Sequence, residues 1–335
     1  MSLLLLLNAL AHFAVDGLCA SCIFESEQGT MLIYLFIYNT LAFSTQCFVG
    51  MIQDRTGKTD KWALISVLMI IIGWVLPVHQ MIRTFLIGLG NSGFHVAGGI
   101  FTLESSQKSW PLGVFVAPGA MGLTLGTLFP QTGVIFAVIL AIYAVSIIPL
   151  SKKHIPVRSE PLSGKDDSKE AMFSTVLLSA AVAVRAIGGS VVEYSWKQGT
   201  ALTVLMTVFI VAGKMFGGAV CDKLGPVMTS FISIMPACFL IPFFSSYIVP
   251  SLLGQFAINL TMPVTLWLMY RVVPDSPGFA FGLAASALWP GTVLAMIFTL
   301  TGPIMWICVI VSFVFGLFSI IRVYNINNEH KEIRS

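Results

Sequence analysis

Twelve apolar runs, each near the length that crosses a bilayer, follow one another along this 335-residue chain with almost nothing between them. They fall at 3–23, 31–52, 62–78, 81–103, 111–129, 132–150, 172–193, 199–220, 227–244, 247–272, 277–299 and 303–325. A helix rising about 1.5 Å per residue needs roughly 20 residues to cross a hydrocarbon core about 30 Å thick. Water cannot satisfy the backbone inside that core, so a span must close its own hydrogen bonds, as a helix does. Charged residues make up 10% of the chain, against about 25% in soluble domains. The expected fold class is an all-α membrane protein with twelve transmembrane helices. The one long connection, 151–171, is polar and carries Ser, Pro, Gly and many charges. It divides the chain into a six-helix bundle at 1–150 and a second at 172–325, with a tail at 326–335.

The basic residues set the expected orientation. With both termini inside, fifteen of the eighteen Lys and Arg residues lie on the inner side: Arg55, Lys58, Lys61, Lys108, Lys214, Lys223, Arg271, Arg322 and the seven in the linker and tail. Arg83 and Lys197 lie outside, and Arg185 is left within the membrane. That excess is the positive-inside pattern. It predicts a multi-pass protein of an inner or plasma membrane with cytoplasmic termini. The first run has no evident cleavage signal and is read as a retained span. Basic residues strung along one membrane face offer no nucleic-acid surface. Cys19 and Cys22 stand one helical turn apart in an apolar run, and read as small packing residues rather than a redox or metal pair.

Two turns repeat. Gly50-Met-Ile-Gln-Asp54-Arg55-Thr-Gly57-Lys58 separates runs 2 and 3, and Gly218-Ala-Val-Cys-Asp222-Lys223-Leu-Gly225 separates runs 8 and 9, with Asp54 and Asp222 168 residues apart. A tight turn uses Gly where φ is positive, and its charges need water. Asn91 in run 4 and Asn259 in run 10 are also 168 apart, and Pro118-Gly119 in run 5 is echoed by Pro290-Gly291 in run 11. Several echoes in one order indicate a duplicated chain with two pseudo-symmetric bundles, an arrangement that in transporters brings a binding site to the midplane.

Six plus six spans with an Asp-Arg-x-Gly-Lys turn after span 2, and a degraded copy after span 8, resemble the major facilitator superfamily over the whole chain. His12-Phe-Ala-Val-Asp16 in span 1 and Gly88-Leu-Gly-Asn91-Ser-Gly-Phe-His95 in span 4 resemble its fosmidomycin-resistance-type branch. That branch usually has Pro after the span 4 His, where this chain has Val96. Drug export is not carried over. The resemblance implies that spans 1, 4, 7 and 10 line a central cavity. It also implies that Asp54, held by Arg55 and Glu104 beside Gly57 and Lys58, latches against the N-terminus of span 11, and that Asp222 and Lys223 act likewise against span 5. A plain solvated turn is the alternative. A Gly- and Pro-interrupted fifth helix resembles the family's exchanger motif in part and leans toward antiport over symport.

Ionisable groups at bilayer depth cost about 2.5–3.5 kcal/mol each on insertion scales, so they need partners or water. Four stand out. His12 and Asp16 share one face of span 1 as i and i+4 and are the expected proton-coupling pair, since a carboxylate beside an imidazole can exchange a proton near neutral pH. A structural hydrogen-bonded pair is the alternative. Asn91 and His95 share a Gly-lined face of span 4 and can bind a polar substrate or simply pack helices. Arg185 in span 7 is a fixed cation with a forked donor set suited to carboxylate or phosphate, or to an ion pair with Asp16. Asn39 in span 2 and Asn259 in span 10 are further substrate-binding candidates. HExxH, nucleophile-elbow, P-loop and paired acidic metal motifs are all missing. The expectation is therefore not an enzyme, with no cofactor and no metal. It is a monomeric secondary transporter of a small anionic or zwitterionic solute, coupled to protons. A passive uniporter, or a receptor or scaffold that kept the fold, is the alternative.

Overall fold

The computed structural model describes residues 2–26, 28–157, 159, 161 and 168–332. The inner-side charges Arg158, Lys165 and Arg334, the side chain of Lys331, and much of the linker and tail lie outside the described residues. Fourteen α-helices are present among them: α1 Leu3–Phe24, α2 Gln28–Asn39, α3 Gln46–Thr56, α4 Thr59–Val75, α5 Gln80–Leu103, α6 Trp110–Leu128, α7 Gly133–Ser151, α8 Ser168–Ser190, α9 Gly199–Phe244, α10 Ile248–Asn259, α11 Thr261–Val272, α12 Pro277–Ser286, α13 Trp289–Ile297 and α14 Gly302–Glu332. Ten helical segments are long and apolar enough to cross a membrane. The shorter α4 and the second half of the 46-residue α9 bring the crossings to the twelve that the apolar runs mark out.

The helices depart from the apolar runs at breaks. Span 2 is α2 and α3 joined by a π turn at Thr40–Ser44. Span 10 divides at Leu260 into α10 and α11, and span 11 divides after Ser286 into α12 and α13. Each break sits beside polar residues (Asn39, Thr40, Ser44 and Thr45; Asn259 and Thr261; Ser286), but these are too few to interrupt apolarity averaged over a whole span. The two repeated turns are both made by glycine in the left-handed region. Gly57 (φ +60°) ends α3, its amide donating to Gln53 O at 2.9 Å. Gly225 (φ +79°, ψ 166°) kinks α9 ahead of Pro226. An L side chain at either would be strained.

Two compact units result. The first comprises residues 1–105, 114–157 and 277–286; the second comprises 106–113, 158–276 and 287–335. In the first unit α6 lies so close to α1 that a Cβ on Gly122 or Gly126 would overlap the carbonyl oxygens of Phe13 and Gly17. Small residues spaced by four permit such contact, and in lipid it is packing of this kind that holds helices together. Large apolar side chains such as Val145 and Ile142 are exposed on the outer face of α7, where hydrocarbon rather than water is the solvent.

Segment 277–286 is tied into the first unit by Asp54. Pro277 has no amide hydrogen, so the first free donors of α12 are those of Gly278 and Phe279. They donate to Asp54 Oδ1 and Oδ2 at 2.7 and 2.8 Å. Gly50 packs on the Gly278 carbonyl one turn earlier. The second unit repeats the device. At the start of α6, Ser109 N and Trp110 N donate to Asp222 Oδ1 and Oδ2 at 2.7 and 3.1 Å, and Gly218 packs against the Ser109 backbone. A carboxylate at a helix N-terminus satisfies orphan amides and complements the helix dipole.

Candidate functional site

In the first unit α1 and α5 place three ionisable side chains together. His12 and Asp16, one turn apart on α1, approach through Nε2 and Oδ2 at 3.2 Å. His95 on α5 brings its Nε2 to 3.5 Å from Asp16 Oδ1. The two imidazoles meet edge to face with centroids 4.4 Å apart. His12 is 5% exposed, and the rings of Phe94 and Phe115 flank it.

The backbone decides which ring nitrogen faces the carboxylate. His12 Nδ1 lies 2.7 Å from the Phe115 carbonyl oxygen, and His95 Nδ1 lies 2.9 Å from the Asn91 carbonyl oxygen. A carbonyl only accepts, so each Nδ1 carries the hydrogen and donates it. The neutral rings therefore turn Nε2 lone pairs toward a carboxylate, acceptor against acceptor. A cation, whether a proton on Nε2 or a metal ion, converts that opposition into attraction.

Asn91 lies on the same face of α5 as His95. Its Nδ2 donates to Asp16 Oδ1 at 3.0 Å and sits 2.9 Å from Tyr38 Oη. The amide orients the carboxylate. Gly119, after Pro118 in α6, lies directly over the pair: a Cβ there would overlap His12 Nε2 and stand 2.5 Å from Asp16 Oδ2. Sequence reasoning passes over Tyr38, Gly119 and the Phe115 carbonyl. For Gly119 a signal exists, since a Pro-Gly step inside a span marks a close approach. For a carbonyl there is none.

In the second unit Arg185 on α8 donates from Nη1 to Thr261 Oγ1 at 2.5 Å. Thr261 is the first residue of α11, immediately past the break in span 10, and its hydroxyl reaches Ile258 O at 2.7 Å. Among the described residues this is the one hydrogen bond of the guanidinium, a group with five N–H donors. Asn259, the last residue of α10, donates to Gln255 O at 2.8 Å. Gln255 in turn donates to Tyr194 Oη at 2.7 Å. Asn39 closes α2 just before the π turn and is buried. Glu104 follows the end of α5, and its carbonyl accepts from Val157 N at 2.7 Å. Arg55 lies in the last turn of α3, Lys58 precedes α4, and Lys223 follows the Asp222 latch.

No family model and no curated protein matches the sequence. Solved structures match the fold. A crystal structure of the E. coli fucose:proton symporter FucP, in a single-residue variant, superposes with a TM-score of 0.65 at 11% identity, covering 94% of this chain and 97% of that one. FucP described as a major facilitator superfamily transporter in the outward conformation gives 0.61 at 10% identity over 97% of each chain. The human organic anion transporter MFSD10 (TETRAN) gives 0.62 at 13% identity, covering 96% of this chain and 97% of that one. At these identities the likeness establishes the fold: twelve helices in two six-helix bundles, in a multi-pass membrane protein.

Proposed function

We propose that this major-facilitator fold serves secondary transport. The chain moves a small anionic or zwitterionic solute by alternating access, with protons as the coupling ion. The observation that carries the reading is the His12–Asp16–His95 cluster. Three ionisable groups brought together in one helical bundle, His12 buried and Asp16 and His95 mostly so, with two of them aiming lone pairs at a single carboxylate, are costly unless a cation comes and goes. A proton on either Nε2 donates to Asp16. Its departure restores the opposition and favours a rearrangement against α6 at Gly119. The fold supports transport, and two proteins that share it are described as a fucose:proton symporter and an organic anion transporter.

Arg185 is the proposed anchor for the solute. Its remaining fork donors suit a carboxylate or phosphate, with Thr261 fixing the guanidinium and Asn259 as a further polar contact; Asn91, His95 and Asn39 are proposed polar substrate contacts within the first unit. The Asp54 and Asp222 contacts act as latches that open and re-form during the cycle, with Arg55, Gly57, Lys58, Glu104 and Lys223 shaping their turns. The likeness of spans 1 and 4 to the fosmidomycin-resistance-type branch belongs to this proposal, as do six-plus-six domains divided at 151–171, cytoplasmic termini in a plasma (inner) membrane, and a monomer.

The test is uptake of a panel of small carboxylates and phosphates into proteoliposomes. The proposal expects at least one anion to accumulate above equilibrium only under a pH gradient, and Arg185→Ala to abolish it. Equilibration indifferent to the gradient would establish a uniporter. Saturable binding without any flux would establish a receptor. Either outcome overturns the proposal.

A further inference from the structure

We propose that His12 Nε2, His95 Nε2 and the Asp16 carboxylate form a binding site for a first-row divalent cation of the zinc type. This goes beyond the transport reading and depends on none of it. The three donor atoms lie within 4.8 Å of one another, and the two nitrogen–oxygen separations are 3.2 and 3.5 Å. Ligands bound at about 2.0–2.1 Å in a tetrahedral shell stand about 3.3–3.4 Å apart; each imidazole stands near that distance from one oxygen of the carboxylate, His12 from Oδ2 and His95 from Oδ1, so the carboxylate can meet a shared ion through either oxygen or both. His12 and Asp16 supply two donors from one face of a helix at i and i+4, a spacing that zinc-binding helices use. The third donor comes from the neighbouring helix α5.

A second observation is independent of those distances. Metal-binding histidines characteristically donate their other ring N–H to a carbonyl or carboxylate, which fixes the tautomer and turns the lone pair toward the ion. Both rings do so here, to the Phe115 and Asn91 carbonyls at 2.7 and 2.9 Å. The carboxylate is oriented in the same way by Asn91 Nδ2 at 3.0 Å. All three ligands are therefore held from behind before an ion arrives. Two imidazoles and one carboxylate match Zn²⁺, Co²⁺ or Ni²⁺ and not Mg²⁺ or Ca²⁺, which take oxygen shells.

The experiment is a Co²⁺ titration of the full chain, purified in detergent after chelation and followed by visible absorption. The expected result is one cobalt per chain with the d–d bands of a four- or five-coordinate ion and no thiolate charge-transfer band. Zn²⁺ should bleach the signal; Mg²⁺ and Ca²⁺ should not. His12→Ala and His95→Gln should each weaken binding at least tenfold, whereas Cys19→Ser should keep the bands. Failure of cobalt to saturate near one equivalent in the unmodified protein would overturn the proposal, whatever the variants do. So would unchanged affinity in His95→Gln, or bands lost in Cys19→Ser. Equilibrium binding in detergent carries no flux, so a negative result here leaves the transport reading standing, and failed uptake leaves this one standing.

Discussion

Replacing Asp54 by Asn removes one carboxylate oxygen and the charge while keeping the shape. In the native protein both oxygens are occupied, Oδ1 by Gly278 N at 2.7 Å and Oδ2 by Phe279 N at 2.8 Å. Asn retains one acceptor, so one amide of the first turn of α12 loses its partner. A hydrogen bond to a charged group contributes about 1.5–3 kcal/mol. The turn reaches water, which takes up part of the loss, leaving about 1–2 kcal/mol. That converts to roughly a 5–30-fold larger population of the opened latch. Hydrogen exchange reads it directly: amides over 277–286 should exchange about 5–30 times faster in Asp54→Asn. Asp60→Asn is the control, because among the described residues the Asp60 side chain has one hydrogen bond, a local one accepted from Lys61 N at 2.8 Å. Exchange over 277–286 unchanged within twofold would refute the claim that Asp54 holds this helix end.

The duplicated latch makes a matching prediction: Asp222→Asn should speed exchange over 109–113, where Ser109 and Trp110 donate to it, and leave 277–286 unaffected. Gly122→Ala should lower thermal stability through overpacking of α6 on α1, by about 1–3 kcal/mol. Gly316→Ala, with open space around the new methyl, should not; equal melting of the two variants would contradict the close contact. Arg185→Lys keeps the charge and loses the fork, so thermal stabilisation by the anions that protect the native protein should shrink markedly; stabilisation equal to native would exclude a bidentate contact.

Much of the architecture is legible in the sequence because lipid leaves the backbone so little choice. Length and apolarity alone separate the spans, and the matching glycines of the two turns mark the duplication. What the sequence hides is local. The π turn at Thr40–Ser44 and the breaks at Leu260 and after Ser286 are marked only by a few Asn, Thr and Ser residues, which also occur inside unbroken spans and so do not single these positions out. Helix geometry places His12 and Asp16 on one face, and Asn91 and His95 on another. That these four meet depends on how α5 packs on α1, which no spacing encodes. The sequence does not foretell that Asn91 also donates to Asp16, because that contact crosses from α5 to α1. Thr261 is invisible for a different reason: it becomes the contact of Arg185 only because span 10 breaks beside it.

The most direct test of the coupling claim measures protons. Proteoliposomes holding an internal pH-sensitive dye are given an outward-facing acid step, and each anion of the panel is added in turn. One pH unit corresponds to about 1.36 kcal/mol, enough to drive about tenfold accumulation if one proton moves per solute. The account predicts anion-dependent proton movement, inward for symport or outward for antiport, with native protein and none with Asp16→Asn. Anion-dependent proton movement of equal rate in Asp16→Asn would show that the Asp16 carboxylate carries no coupling ion.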